Sequence, residues 1–129
     1  MESQQGVNRP GNRRVVGAAA EEAALGYLQS LGYVFVARNW RCRTGEIDLI
    51  FRDGNTLVFA EVRSRTAPSR YGTAVEAVTP RKCRQVRGTA EVFMKMAGAF
   101  GQPVRFDVVA VTFGADGTVC ELKHIPAAF

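Results

Sequence analysis

Two carboxylates stand inside apolar runs of this sequence, where a charged side chain needs a partner. Asp48 lies in the segment GEIDLI at residues 45–50, and Glu61 follows thirteen residues later in the segment EVR at residues 61–63. A carboxylate on a half-buried strand costs free energy unless it is paired, hydrogen-bonded or bound to a cation. Carboxylate oxygens are hard ligands of the kind that Mg²⁺ prefers, with water and phosphate oxygens in the remaining positions. The pair therefore predicts a Mg²⁺ or Mn²⁺ site held by Asp48 and Glu61.

A divalent ion at such a pair would suit phosphodiester hydrolysis. It lowers the pKa of a bound water and stabilises charge on a phosphoryl group under attack. Arg63 lies two residues after Glu61, on the same strand face, where its cation could offset charge in the transition state. An ion pair of the carboxylates with Arg63 or Arg65, without any metal, is an alternative that the sequence leaves open.

The positions of both acids depend on a predicted β-hairpin. β-branched and aromatic residues dominate residues 47–51 and 57–62, and the turn sequence Asp-Gly-Asn at residues 53–55 separates them. Side chains alternate along a strand, so Asp48 is expected to share a face with Glu46 and Ile50. Glu61 is expected on the corresponding face of the next strand, beside Asp48.

A helix before the hairpin supplies a third acid. Residues 14–31 have helical spacing, with a buried stripe predicted at Ala20, Ala24, Tyr27, Leu28 and Leu31. Glu21 lies at the edge of this stripe, whereas Glu22 faces outward. Glu21 is therefore a candidate to assist the metal pair, and a salt bridge to an arginine is its open alternative.

Basic residues cluster in the second half of the chain. Thr79 and Pro80 predict the start of a helix that runs to about Ala97. Cations crowd its first turns, where the helix dipole disfavours them, and this placement suggests contact with phosphate. A merely solvated basic face is the plainer alternative. The predicted nucleic-acid-binding residues are Arg65, Arg70, Arg81, Lys82 and Arg84.

The remaining strands complete an α/β chain in the order helix, three strands, helix, two strands. The first strand is predicted at residues 33–40, with a polar turn at 38–41. Residues 104–111 predict a central strand, in which Asp107 is expected to have a structural role, as a partner for an arginine or a backbone turn. An edge strand at residues 118–125 and a tail at 126–129 follow.

Composition narrows the class of protein. At 129 residues the chain fits one domain, with residues 1–12 predicted as a flexible lead-in and residues 13–129 as the folded part. The net charge of +5 favours a polyanionic partner. No apolar run reaches the roughly 18 residues of a membrane helix.

Cysteine and histidine usage excludes several kinds of site. Three scattered cysteines frame neither a disulfide scaffold nor a zinc knuckle, so a reducing cytoplasm is expected. The single histidine, His124, leaves little material for a Ser-His or Cys-His nucleophile, and we expect it at the surface or at a strand edge.

The chain resembles the YraN family of small bacterial proteins, predicted endonucleases of the PD-(D/E)XK superfamily that are related to archaeal Holliday junction resolvases. The matching segments are Tyr27-Leu28, Gly32-Tyr33, Arg38-Asn39, GEIDLI, residues 59–65, Gly72, Ala77-Val78 and residues 105–109. The resemblance implies a restriction endonuclease-like core, a mixed sheet of about five strands with helices on both faces.

The resemblance also implies a function. Asp48 and Glu61 would be metal ligands and Glu21 the helix-borne acid of a DNA endonuclease, with branched or damaged DNA as a candidate substrate. A homodimer follows only by analogy with the dimeric resolvases.

Two departures from the family pattern bear on activity. The usual Glu-x-Lys is Glu61-Val62-Arg63 here, and the usual Gly-Glu of the helix is Ala20-Glu21. Arginine stays protonated and prefers bidentate contacts, so Arg63 cannot accept a proton. The alternatives are a non-catalytic nucleic-acid-binding protein with the nuclease fold and a structural module built on an acid–arginine network.

Overall fold

The computed structural model describes residues 10–67 and 78–129, with side chains from residue 14 onward in the first of these ranges. The elements in chain order are α1 (Pro10–Ser30), β1 (Val34–Cys42), β2 (Gly45–Asp53), β3 (Thr56–Thr66), α2 (Pro80–Ala97), β4 (Val104–Phe113) and β5 (Val119–Ile125). This is the predicted order of helices and strands.

The five strands form one mixed sheet in the order β1-β2-β3-β4-β5. β3 and β4 pair in parallel, and the other neighbours pair antiparallel. Parallel neighbours require a crossover connection, and α2 lies within the connection between them. β2 and β3, which carry the two acids, are therefore interior strands.

The two helices cover opposite faces of the sheet. Ala24 and Leu28 of α1 pack in one buried cluster with Val58, and Phe93 of α2 packs in a second cluster with Phe59. Val58 and Phe59 are consecutive in β3 and face opposite sides. The chain thus forms three layers, helix, sheet and helix, consistent with the predicted restriction endonuclease-like core. No helix in the described ranges is long and apolar enough to cross a membrane.

Helix α1 differs from its prediction at both ends. It begins at Pro10 rather than about residue 14 and so takes in the last residues of the predicted lead-in. Proline is tolerated in a first helical turn, and that turn lacks the apolar stripe by which a helix is recognised in sequence. Leu31, predicted to be buried, is 45% exposed because the helix ends at Ser30.

Helix α2 has the predicted bounds. The Thr79 side chain accepts a hydrogen bond from the Lys82 backbone N–H at 3.1 Å, and Pro80 occupies the first turn. Gly98 ends the helix with a φ of 66°, a conformation that favours glycine. Strong punctuation at both ends made this element predictable.

Strand β1 runs further than predicted. It continues through Cys42, so the predicted polar turn at residues 38–41 is wrong. Asn39 within it has a φ of 50°, in the left-handed region. The strand absorbs this irregular residue because its neighbours Arg38 and Trp40 stay paired with Leu49 and Ile47 of β2.

A buried polar network on β4 confirms the structural role predicted for Asp107. The Arg105 guanidinium donates two hydrogen bonds to Asp107, from Nε and Nη2, each at 2.9 Å. His124 Nε2 lies 2.7 Å from Asp107 Oδ2, and the Ala127 N–H donates to Oδ1 at 3.0 Å. His124 is on edge strand β5, as predicted, but its ring is buried.

The predicted tail at residues 126–129 instead folds back onto β4. The Ala128 N–H donates to the Phe106 carbonyl at 2.7 Å. The Phe129 ring stacks on that of Phe106 with 5.3 Å between centroids. Arg87 of α2 lies over both rings, which ties the end of the chain to the helix.

Candidate active site

The two predicted metal ligands come together where the β2–β3 ladder ends. The last backbone pair at this end is Leu49 with Ala60. Beyond it, Asp48 Oδ2 accepts a hydrogen bond from the Val62 backbone N–H at 2.8 Å. The Asp48 backbone N–H in turn faces the Glu61 carboxylate and lowers its pKa. At this point β2 and β3 are thus joined by hydrogen bonds between a side chain and a backbone group.

The expected alternation of side chains does not run unbroken through Asp48. Ile47 and Ile50, three residues apart, both pack in the cluster under α2, whereas Leu49 packs in the cluster under α1. The prediction that residues 46, 48 and 50 share one regular face is therefore wrong. Asp48 is still close enough to Glu61 for its charge to act on that carboxyl.

Burial dominates the electrostatics of the pair. Glu61 is 1% exposed and Asp48 is half-buried. Loss of hydration raises the pKa of Asp48 to about 6 and that of Glu61 to about 7. The negative charge of Asp48 adds to the effect on Glu61, whereas the bond from Val62 opposes it at Asp48. Both carboxyls therefore hold protons more tightly than ordinary acids.

One cation reaches the pair from α2. Lys82 Nζ lies 3.6 Å from Glu61 Oε1. Glu61 Oε2 is buried and has no hydrogen-bond partner among the described residues. An unpartnered buried carboxylate oxygen is rare and costly in a folded protein.

The donor set of the pair fits a Mg²⁺ or Mn²⁺ ion. Asp48 and Glu61 offer hard oxygens, and Glu61 Oε2 is unused by its described neighbours. In the described part of the chain, no cluster of three or more Asp, Glu, His or Cys side chains has the geometry to hold a metal. Mg²⁺ commonly uses one or two carboxylates together with waters and substrate phosphates, so two acids are enough.

Glu21 lies near the pair without joining it. Its Oε1 accepts a hydrogen bond from Asn39 Nδ2 at 3.1 Å, and its charge raises the pKa of Asp48. Within the described ranges Glu21 forms no salt bridge to an arginine, whereas the outward-facing Glu22 pairs with Arg38 at 3.2 Å. Glu21 thus acts on the charge of Asp48 from a neighbouring element, and its assisting role stays a prediction.

Arg63 is not the cation in contact with the acids. It is half-buried and lowers the pKa of Glu61 through its charge. Its Nε atom is buried without a hydrogen-bond partner among the residues described. Of the described cations, Lys82 is the one at ion-pair distance from Glu61, rather than Arg63 or Arg65.

The structure describes four of the five predicted nucleic-acid-binding residues. Arg81 and Arg84 are exposed on the first turns of α2, and Arg65 is half-buried on β3. Lys82 contacts Glu61 and also lines a cleft of about 400 Å³ with Thr79, Arg81 and Gln85. Arg70 lies outside the described residues.

Sequence reasoning missed the contacts that hold α2 beside the acids. Gln85 Nε2 donates to the Thr44 carbonyl at 3.2 Å, and Thr44 Oγ1 lies 2.9 Å from Thr89 Oγ1. Gly45 has a φ of 150°, and a Cβ there would lie 2.9 Å from Gln85 Nε2. Glycine suits the first residue of GEIDLI because its φ is positive and the Gln85 side chain approaches it.

The sequence has close relatives among uncharacterised proteins. A UPF0102 protein of Pelotomaculum thermopropionicum is 44% identical over 117 residues, covering 91% of this chain and 97% of that protein. The protein STH1475 of Symbiobacterium thermophilum is 48% identical over 110 residues, covering 84% and 92%. The protein RSc3265 of Ralstonia nicotianae is 47% identical over 126 residues, covering 94% and 92%.

A family model gives the same assignment over the region that holds the site. It is described as uncharacterised protein family UPF0102 and matches residues 20–111. That range includes Glu21, Asp48, Glu61, Arg63 and Lys82. From these matches and the fold, the chain belongs to the UPF0102 family.

Proposed function

We propose that this protein is a divalent-metal-dependent nuclease that hydrolyses phosphodiester bonds in DNA. The observation that carries the proposal is the buried Asp48–Glu61 pair, in which Glu61 Oε2 has no partner among the described residues. A purely structural pair would be expected to satisfy its buried oxygens.

Charge balance supports a metal at this position. Asp48 and Glu61 together carry two negative charges when ionised, and Lys82 offers one positive charge at 3.6 Å from Glu61. Desolvation makes the uncompensated charge costly, as the raised pKa values of both acids indicate. A divalent cation would supply the missing charge, and the carboxylates are the ligand type that Mg²⁺ and Mn²⁺ accept.

The chain's own residues would divide the work. Asp48 and Glu61 would hold the ion, with Asp48 fixed by the Val62 N–H at 2.8 Å. Bound there, a divalent ion would lower the pKa of a coordinated water and stabilise charge on the phosphoryl group. Glu21, held by Asn39, would orient a water or phosphate on the α1 side, and Arg63 would offset negative charge from β3.

Exposed cations near the cleft would contact the DNA backbone. Arg81 lines the cleft together with Lys82, and Arg84 is exposed on the same helix. Phosphate contacts of this kind position a substrate without reading its sequence. The net charge of +5 would favour encounter with a polyanion.

A direct assay tests the proposal. Wild type should cut at least one of single-stranded, duplex, forked or four-way DNA with Mg²⁺ or Mn²⁺, and cutting should stop when the metal is chelated. Asp48→Asn and Glu61→Gln should abolish cutting, while Glu121→Gln, an exposed acid of β5, should not change it. Wild type that cuts none of these substrates with either metal contradicts the proposal.

The position of Arg63 favours a second candidate, a nucleic-acid-binding protein that keeps the nuclease fold without cutting. Arg63 stands where the related pattern has lysine, and arginine cannot accept a proton. Such a protein would shift DNA in a salt-dependent way without cleavage. Arg63→Lys separates the two, because gained cleavage would identify Arg63 as the block.

A further inference from the structure

Lys82 makes a contact that its sequence position does not reveal. It belongs to the first turn of α2, yet its Nζ lies 3.6 Å from Oε1 of the buried Glu61 on β3. Strong charge-assisted N–H···O bonds are about 2.7 to 2.9 Å long. The contact is therefore an electrostatic one rather than a tight hydrogen bond.

Hydrogen bonds hold the helix backbone at Lys82, whereas the Lys82 side chain has rotatable bonds. Thr79 caps the Lys82 N–H at 3.1 Å, and Gln85 anchors the next turn to Thr44. The Lys82 side chain is 31% exposed and borders the cleft next to Arg81. A lysine stem has four carbons and rotatable bonds, so the ammonium can move between Glu61 and the cleft while the helix stays in place.

Lys82 also occupies an unfavourable position with respect to the dipole of α2. A cation in the first turn of a helix is disfavoured by the partial positive charge of that end. Its charge is offset by Asp48 and Glu61, since it lowers the pKa of both. Any second cation at the acids would remove that compensation and repel the ammonium.

We propose that Lys82 is the resident counter-cation of the Asp48–Glu61 pair, that it leaves Glu61 when a divalent ion is bound, and that its ammonium then contacts a phosphate oxygen of the nucleic acid. The inference rests on the metal site of the proposed nuclease. It gives the phosphate contact to a lysine of α2 rather than to Arg63, which lies two positions after Glu61 on β3.

Arg63 is less suited to this exchange. Its Nε is buried and unpartnered within the described part of the chain, and no ion pair links it to Asp48 or Glu61 there. Lysine presents a compact, strongly hydrated charge that binds phosphate as a point charge. Lys82 also borders the cleft, where a phosphate would enter.

The chain allows a direct test because it contains three lysines, Lys82, Lys95 and Lys123. Reductive methylation with ¹³C-formaldehyde keeps their charge and gives one resonance for each, besides that of the N-terminal amine. On titration with Mg²⁺, the Lys82 resonance should shift and saturate with the affinity measured by calorimetry. Lys95 and Lys123, both exposed, are internal controls that should not shift. The Lys82 response should disappear in Glu61→Gln.

A second titration tests the phosphate contact. With Ca²⁺ in place of Mg²⁺ to suppress cutting, added duplex DNA should shift the Lys82 resonance further. Lys82→Met should bind Mg²⁺ about fivefold more tightly, because a competing like charge is gone. It should also cut DNA at least about a hundredfold more slowly, a typical cost of losing one charge contact in a transition state. Lys95→Met, which replaces an exposed lysine in the last turn of the same helix, is the matched control for both effects.

The outcomes separate the two proposals. If calorimetry shows Mg²⁺ binding but Lys82 does not respond, the exchange is overturned and the metal site stands. If neither Mg²⁺ nor Mn²⁺ binds, both proposals fail. A Lys82 resonance that responds to Mg²⁺ and DNA in a protein that cuts nothing supports the exchange and removes the nuclease assignment. A Lys82 resonance indifferent to DNA overturns the phosphate contact.

Discussion

The Asp48 carboxylate accepts a hydrogen bond from the backbone N–H of Val62 at 2.8 Å, one residue beyond Glu61. This bond takes the place of a backbone pair at the end of the β2–β3 ladder. The bond ties the Asp48 carboxylate to the strand that carries Glu61. The spacing of the two acids is set by the backbone rather than by free side-chain rotation, as a preorganised site requires.

Replacing Asp48 by asparagine should separate the structural bond from the charge. Asparagine Oδ1 can still accept the Val62 N–H, while the repulsion with Glu61 disappears. We expect Asp48→Asn to lose Mg²⁺ binding and to gain about 1 to 3 kcal/mol in metal-free unfolding free energy at pH 8. Urea denaturation in the presence of about 1 mM EDTA measures the gain in unfolding free energy. A less stable Asp48→Asn would show that the Asp48 charge supports the fold.

The acid pair should make the metal-free protein less stable as the pH rises. Both folded-state pKa values lie above their ordinary values, to about 6 and about 7, so the protonated forms favour folding. The stability they provide is present in full below about pH 4 and is lost as the pH rises through 6 and 7. Urea denaturation across this pH range gives the unfolding free energy of wild type and of the double variant Asp48→Asn/Glu61→Gln. The pH dependence of the difference between the two is the contribution of the acid pair. Parallel curves for the two proteins would contradict it.

Loss of the Asp107 side chain should destabilise the fold without changing metal binding by Asp48 and Glu61. Asp107 is buried, and the Arg105 guanidinium and the His124 ring both bond to it. Asp107→Ala removes the acceptor of two Arg105 hydrogen bonds, while Arg105 keeps its ion pair with Asp53 at 3.0 Å. Leaving buried donors without an acceptor typically costs about 1 to 3 kcal/mol. Thermal and urea denaturation should report that loss, and any protein that remains folded should bind Mg²⁺ as wild type does. A change of metal affinity in folded Asp107→Ala would link the two networks.

The stability of the contact between β2 and α2 should depend on Gly45. Alanine there would adopt a disfavoured positive φ and meet Gln85 Nε2 at 2.9 Å. We expect Gly45→Ala to lose about 1 to 3 kcal/mol of stability. Gln85→Ala in the same chain should recover the part due to the contact but not the part due to φ. Gly88→Ala, where a Cβ meets nothing within 4 Å, is the control and should be neutral or stabilising.

The sequence predicted the elements better than it predicted the contacts between them. α2 was predictable because Thr79, Pro80 and Gly98 mark its ends, and the acids stood out because carboxylates are rare in apolar strands. The Lys82–Glu61 contact was not predictable, because its partners lie 21 positions apart on different elements and no local pattern couples them. The interrupted alternation of side chains at Asp48 was also not predictable, because a period of two residues assumes a regular strand.

The raised proton affinity of the two acids gives the site a thermodynamic signature of its own. Near neutral pH a proton resides on the pair for part of the time, so an incoming cation must expel it. The measured heat of such binding would then vary with the ionisation enthalpy of the buffer. The difference between titrations in Pipes and in Tris, divided by the difference between the ionisation enthalpies of the two buffers, would give the number of protons released.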